Sequence, residues 1–316
     1  MTTPGRPTVP GLTRRTALAA ALAAVAGLTT ACSGDSTADA KSTARTTDDA
    51  TALDAIIAAH EPANASDIPN GSTAAEIKSR GKLLVGGTQT AALFSLLDPT
   101  TQKLSGFDAA MSQLLAKYII GEPKTELINV TAATREALLK NHTVDAVFAT
   151  YTITPEREKK VNFAGPYYMD GLGIQVKKNN TGISTLNDLA GKTVVTQSGS
   201  TAATIVKGKV PSVTIQLFDT NVECLQALQQ GRADAYVLDQ GVLAGNALRS
   251  PDVKVLSGTF SKEPYGIGLP LDQPEFKEFV NNWLVKIEVD GTWAKVWKAT
   301  IGTQVPGAVP MPPKIG

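Results

Sequence analysis

Strand-like and helix-like segments alternate along the chain from Lys82 onward, and this alternation restricts the possible folds more than any other feature of the sequence. The segment KLLVGGT predicts a strand, an apolar-periodic helix follows over Ala109–Ile120, and KTELINV predicts the next strand. A helix over Arg135–Lys140 and a strand over Val144–Thr150 continue the series. This βαβα order predicts an α/β fold with mostly parallel sheets that carry helices on both faces.

The second half of the chain repeats the pattern of the first. Ala137–Thr150 (ALLKNHTVDAVFAT) and Ala227–Asp239 (ALQQGRADAYVLD) both consist of a helix end, a polar turn, Asp-Ala and an apolar strand. Open parallel sheets bind ligands beyond the carboxyl ends of their strands, so two such lobes would offer those ends to a shared cleft. The alternative is that the two segments are similar by chance, because Asp-Ala is common in the turn that precedes a strand.

Composition argues against several classes of function. The chain has 316 residues, of which 42% are hydrophobic, enough for two domains with sizeable cores. A formal net charge of +1 argues against nucleic-acid binding, which usually requires a clustered basic surface. The two cysteines and two histidines are too few and too widely spaced for a metal site or a disulfide framework. We therefore expect no metal, no cofactor and no nucleic acid.

The first 31 residues predict an export signal. Arg14-Arg15 resembles a twin-arginine signal, and the apolar run Ala17–Ala31 is shorter than the ~20 residues that span a bilayer. The sequence TTAC, which ends in Cys32, resembles the lipobox of bacterial lipoproteins, with Thr29 where that motif usually has Leu. Cys32 is then the predicted lipidation site. The alternative is a soluble secreted protein that loses Cys32 on cleavage.

Residues 32–76 are interpreted as a disordered tether and a lead-in to the folded part. The stretch SGDSTADAKSTARTTDDAT is polar and small, so it cannot bury enough apolar surface to order itself. With a lipid on Cys32, this tether predicts a protein held at the outer face of the cytoplasmic membrane.

Arg157 is the most unusual residue of the segment TYTITPEREKKVNFAGPYY. Thr154 is a predicted N-cap, Pro155 a predicted first helical residue, and Glu156 suits the first turn of a helix. A cation at that position opposes the helix dipole, so the helix itself gives no reason for an arginine. Arg157 either points into water or binds an anion at the end of the preceding strand.

Two further segments carry groups that could bind an anion and a neighbouring cation of the same ligand. The segment VVTQSGSTAATIV predicts a strand that turns through glycine into a helix, where backbone N–H groups and the hydroxyls of Ser200 and Thr201 favour an anion. Asp239, after the echoed strand, can pair with an ammonium group. Because arginine holds a carboxylate bidentately, Arg157 and Asp239 together suit the constant part of an α-amino acid.

These segments resemble the extracellular solute-binding proteins of polar amino-acid ABC transporters, most closely the glutamate-binding branch found in actinobacteria. The resemblance spans roughly Leu83 to Ile301. It is carried by GFDAAMSQLLAKYI, VDAVFATYTITPEREKKVNFAGPYY, LAGKTVVTQSGSTA, VECLQALQQGRADAYVLD and EPYGIGLP.

The resemblance implies a two-lobed clamshell of the type II periplasmic-binding-protein kind. Residues 77–170 and 263–316 would form lobe 1, and residues 171–262 would form lobe 2. The hinges would lie near Tyr168–Gly171 and near Phe260–Tyr265.

For lobe 1, the resemblance implies that Arg157 and Thr152 hold the α-carboxylate and that Thr150 meets the ammonium group. Arg135 is assigned to an acidic ligand side chain; the alternative is a solvated charge at a helix start. Many relatives have an aromatic residue near Ala132 that sandwiches the ligand, and this chain does not.

For lobe 2, the resemblance implies that Ser200 and Thr201 close on the carboxylate and that Asp239 takes the ammonium group. Cys224 resembles one half of a disulfide of that branch, but the matching position in this chain is Val195, so a reduced, buried thiol is expected.

The implied ligand is glutamate or aspartate, with glutamine or asparagine as alternatives, and the implied partners are the permease subunits of an ABC importer. A sensor subunit of a membrane signalling system would bind the same ligand and stays open. An enzyme on the same fold is a weaker alternative, for which Glu263 is the only candidate acid; an exposed hinge charge is the expectation for that residue.

Overall fold

Two five-stranded sheets organise the part of the chain that the structure describes. The computed structural model describes residues 51–305 and 307–316, which lie within one unit. The predicted export signal, Cys32 and the first part of the predicted tether lie outside the described residues. Within the described ranges, no helix is both long enough and apolar enough to cross a membrane.

Thirteen strands and eleven α-helices are named among the described residues. The strands are β1 (Leu83–Gly87), β2 (Thr90–Ala91), β3 (Ser95–Leu97), β4 (Leu104–Ser105), β5 (Thr125–Asn129), β6 (Ala146–Phe148), β7 (Asn162–Asp170), β8 (Leu172–Lys177), β9 (Thr193–Gln197), β10 (Thr214–Phe218), β11 (Ala235–Asp239), β12 (Val253–Val255) and β13 (Glu263–Leu269). The helices are α1 (51–59), α2 (Thr73–Arg80), α3 (Phe107–Ile120), α4 (Arg135–Lys140), α5 (Pro155–Glu158), α6 (Ala202–Lys209), α7 (Asn221–Gln229), α8 (Gln240–Arg249), α9 (Pro274–Val289), α10 (Thr292–Ala299) and α11 (Ile301–Gln304).

The two large sheets have the same arrangement. The first has the order β5-β1-β6-β13-β7 and the second the order β10-β9-β11-β8-β12. In each sheet the first three strands pair in parallel, and the fourth pairs antiparallel to both of its neighbours. Four strands of each sheet therefore run in one direction, and the α/β fold with mostly parallel sheets is confirmed.

The echoed segments occupy equivalent places in the two sheets. β6 and β11 are the central strands, and α4 and α7 precede them. The strand predicted over Val144–Thr150 is shorter in the structure, because Thr150 has a φ of 44° and so leaves the extended conformation. The sequence echo therefore reflects repeated topology.

The chain passes from the first sheet to the second at Gly171, between β7 and β8, and returns through residues 256–262 before β13. After β13, α9 packs on β7, and the indole N–H of Trp293 in α10 donates to the carbonyl of Tyr167 at 2.8 Å. The last helices therefore pack against the first sheet.

The lead-in to the first sheet is folded over residues 51–76, where the sequence predicted tether and lead-in. Residues 51–59 are helical, and the side chains of Ile57 and Ile68 are buried in the core. The indole N–H of Trp283 donates to Nε2 of His60 at 3.2 Å. This segment corresponds to the predicted lead-in, because the polar tether sequence ends at Thr51, and its apolar side chains pack against α3 and α9.

Candidate functional site

A cavity lies where the strand ends of the two sheets face each other. The carboxyl end of β6 leads into residues 149–152, β9 leads into residues 198–201, and β11 ends at Asp239. All the residues that the sequence predicted for ligand binding line this cavity: Arg135, Thr150, Thr152, Arg157, Ser200, Thr201 and Asp239.

Arg157 points into the cavity and not into water. Thr154 caps α5 by accepting a hydrogen bond from the Arg157 N–H, and Pro155 opens the helix as predicted. The guanidinium is buried; Nη1 donates to the carbonyl of Thr152 at 2.7 Å and Nη2 to the carbonyl of Gly199 at 2.8 Å. Since a guanidinium has more N–H groups than these two bonds use, Arg157 retains donors for a ligand carboxylate.

Arg135 is also buried, so it is not the solvated helix-start charge that was the alternative reading. Its Nη1 donates to the carbonyl of Ala149 at 2.9 Å, and its Cζ lies 3.6 Å from the centre of the Tyr151 ring. Within the described residues, its Nε has no hydrogen-bond partner. Burial and the neighbouring charge of Arg157 lower the pKa of Arg135 to about 9, which leaves it cationic at neutral pH.

Asp239 supplies a buried carboxyl group to the cavity lining. Burial raises its pKa to about 8, and the neighbouring carboxyls of Asp170 and Glu263 add to the effect. One of its oxygens, Oδ1, has no hydrogen-bond partner within the described residues. An unpaired buried carboxyl is unfavourable, and an ammonium group placed there would stabilise its ionised form.

Thr150 has an unusual backbone, which a buried carboxyl holds in place. Its N–H donates to Oδ2 of Asp108 at 2.9 Å, and the hydroxyl of Tyr167 donates to Oδ1 of the same residue at 2.7 Å. Burial raises the pKa of Asp108 to about 6. The N–H of Thr150 is therefore engaged, and its carbonyl and hydroxyl are the groups left for a ligand.

The hydroxyls of Ser200 and Thr201 both donate to protein acceptors. Ser200 Oγ donates to the carbonyl of Gln197 at 2.7 Å, and Thr201 Oγ1 donates to Oε2 of Glu263 at 2.8 Å. The expectation of an exposed Glu263 is wrong, because this side chain is buried and also accepts a hydrogen bond from Ser261. Hydrogen bonds from the hydroxyls of Thr201 and Ser261 offset the cost of burying the Glu263 carboxylate. The spacing of these residues in the sequence does not reveal the contacts.

The turn between β9 and α6 touches the opposite lobe. Gly199 has a φ of 76°, and a Cβ there would lie 2.8 Å from the backbone of Ala132. Only glycine combines this conformation with such a close approach. The position where relatives were expected to carry an aromatic residue is therefore covered by backbone.

Sequence reasoning missed part of the cavity wall. Several polar residues also line it: Thr88, Gln89, Thr90, Asn129, Thr131, Gln197, Asp219 and Thr220. Each of them ends, follows or opens an element near a strand end, which is the signal that could have found them. Asp219 is exposed, so it adds no buried charge.

Comparison with known proteins decides the family. Residues 83–302 match the family model of the bacterial extracellular solute-binding proteins, family 3. The chain belongs to this family. As a family 3 solute-binding protein, it is an exported protein that binds an amino acid for an ABC transporter.

Similar family 3 proteins differ in their ligands. The glutamine-binding protein of Geobacillus stearothermophilus is 42% identical over 212 residues, 66% of this chain and 80% of the relative. The glutamate-binding protein GluB of Corynebacterium glutamicum is 33% identical over 211 residues, 63% of this chain and 72% of the relative. The structure of an ancestral arginine-binding protein bound to glutamine aligns with a TM-score of 0.66 at 36% identity, covering 71% of this chain and 99% of that one.

Cys224 is buried and free, as the sequence predicted. Burial raises the pKa of its thiol to about 12, so it behaves as a small apolar side chain.

Proposed function

We propose that this solute-binding protein captures glutamate, with aspartate as a second ligand, for an ABC importer. The observation that carries the proposal is the charge balance of the cavity. Two buried cations, Arg157 and Arg135, line it together with the buried carboxyl of Asp239. The α-carboxylate and the ammonium group of an amino acid satisfy Arg157 and Asp239. A side-chain carboxylate is needed to satisfy Arg135.

In the proposed complex, Arg157 and Thr152 hold the α-carboxylate, with the start of α6 at Ser200 and Thr201 closing over it. Asp239 and Thr150 receive the ammonium group. Because the groups are buried, each charged hydrogen bond is stronger than it would be in water. Closure of the two lobes excludes solvent from these bonds and so raises the affinity for the ligand.

Glutamine is the alternative ligand, favoured by the name of the Geobacillus relative. An amide accepts a hydrogen bond from Arg135 through its oxygen but leaves the positive charge uncompensated. Leaving a buried charge without a counter-charge is costly, so the site should bind glutamate more tightly than glutamine.

We propose that the signal at residues 1–31 is removed and that Cys32 is lipidated, which would hold the protein near its permease. The hinges are proposed at the two chain crossings, near Tyr168–Gly171 and Phe260–Tyr265.

A sensor role would use the same binding chemistry. We propose no catalysis, because Glu263 accepts hydrogen bonds from Ser261 and Thr201 and does not line the cavity.

The proposal is tested by calorimetric titration of protein that has been unfolded and refolded to remove carried-over ligand. Glutamate, aspartate, glutamine, asparagine, arginine and histidine form the panel. We expect tight binding of glutamate and binding of aspartate, with glutamine at least ~10-fold weaker. Arg135→Gln should remove the preference for the acid, whereas the exposed control Arg249→Gln should leave it intact. Tight binding of glutamine instead would contradict the glutamate assignment, and no binding of any amino acid would contradict the whole proposal.

A further inference from the structure

The two arginines of the cavity share one aromatic ring. Tyr151 lies between Thr150 and Thr152 in sequence, yet its side chain does not line the cavity. The Cζ of Arg135 lies 3.6 Å from the ring centre, and the Cζ of Arg157 lies 5.1 Å from it. The face of an aromatic ring attracts cations, most strongly where water is excluded.

This ring is held from several sides. It is fully buried and packs edge to face against Phe163, with ring centres 4.6 Å apart. Gly268 leaves room for it, since a Cβ there would lie 2.9 Å from two of its ring carbons. Its hydroxyl lies 3.5 Å from Oε1 of Glu136, whose other oxygen accepts a hydrogen bond from Lys160. The ring therefore offers a fixed surface for the guanidinium groups.

Two like charges buried side by side repel each other, and the charge of Arg157 contributes to the lowered pKa of Arg135. Neither guanidinium forms an ion pair with a carboxylate among the described residues. Their partners there are carbonyl oxygens and the Tyr151 ring. The ring is therefore the contact common to both arginines.

We propose that Tyr151 is a positioning residue that holds both guanidinium groups cationic and correctly spaced, and so sets the preference for a ligand with two carboxylates. This inference rests on the proposed function. Because Arg135 lies closer to the ring than Arg157, Tyr151 acts mainly on the site of the side-chain carboxylate. Its loss weakens glutamate binding more than glutamine binding.

The test compares Tyr151→Phe with Tyr151→Leu in calorimetric titrations with glutamate and with glutamine. Phenylalanine keeps the ring, so affinity for glutamate stays within ~3-fold of wild type. Leucine removes the ring, so affinity for glutamate falls ~10-fold and the glutamate-to-glutamine ratio falls with it. Equal losses for both ligands, or no loss, would overturn the proposal, since a merely structural role does not alter the ratio.

A graded series at position 151 covers the case in which Tyr151→Leu does not fold. Phenylalanine and its fluorinated derivatives have nearly the same shape, but fluorination weakens the attraction of the ring face for cations. The proposal predicts that affinity for glutamate falls stepwise with the number of fluorine atoms, and a flat series overturns it. The wild-type titration decides separately whether glutamate is the ligand, so failure of the proposed function is distinguishable from failure of this inference.

Discussion

Asp239 lies at the carboxyl end of β11, and its pKa of about 8 makes its charge sensitive to pH near neutrality. The ligand-free carboxyl is mostly protonated at pH 7, and an ammonium ligand requires the carboxylate. Binding must therefore release a proton from this residue. Its pKa is raised by loss of hydration first, then by Asp170 and Glu263.

We predict that affinity for glutamate falls as the pH is lowered from ~8 to ~6, by up to ~10-fold per pH unit. Calorimetry at pH 7 in buffers of different ionisation enthalpy should detect the released proton as a buffer-dependent heat. The same affinity at pH 6 and pH 8 would contradict this assignment of Asp239.

Asp239→Asn should separate stability from binding. The folded pKa of Asp239 is raised above its unfolded value, so its contribution to stability is fully present below pH ~4 and is lost as the pH rises through ~8. At pH 8 the ligand-free variant should therefore unfold at a temperature equal to or above that of wild type. Glutamate should raise that temperature in wild type and leave it unchanged in the variant. Equal ligand-induced shifts in both proteins would contradict the predicted role.

At the scale of elements, the turn between β9 and α6 brings the second lobe onto the first. Gly199→Ala should weaken glutamate binding by about 10-fold or more, because a left-handed alanine is strained by ~1–2 kcal/mol and its Cβ meets the backbone of Ala132. Gly208→Ala is the matched control; its Cβ would have no neighbour within 4 Å, and α6 should gain about 0.5–1 kcal/mol. Calorimetry and thermal unfolding measure both effects. Equal binding by the two variants would show that the turn does not restrict closure.

Local sequence signals predicted the helices and strands that line the cavity but not the tertiary contacts that hold its side chains in place. Thr154 and Pro155 marked the start of α5, and α4 has the predicted bounds Arg135–Lys140. The ring of Tyr151 beneath the arginines and the burial of Glu263 depend on contacts between segments distant in sequence. No local pattern records such contacts, because they exist only after the sheets have formed.

At the scale of the whole molecule, two chain crossings join the sheets, and a few polar contacts span the cleft. Asn221 in α7 donates to the carbonyl of Thr90 at 3.0 Å, and Arg157 donates to Gly199. Because a ligand in the cavity would contact residues of both sheets, we expect the ligand-free protein to populate more open forms and the ligand to favour closure. Small-angle X-ray scattering should show a smaller radius of gyration once glutamate is added. An unchanged radius would contradict closure by the ligand.

Arg157 is the proposed anchor of the α-carboxylate, and the other assignments in the cavity depend on it. The most direct measurement is a calorimetric titration of Arg157→Ala with glutamate, alongside wild type and with thermal unfolding of both ligand-free proteins. Removing one partner of a buried charge pair lowers affinity by about 100-fold or more, so we expect no measurable binding and a folded variant. Micromolar binding of glutamate by a folded Arg157→Ala protein would contradict the proposed site.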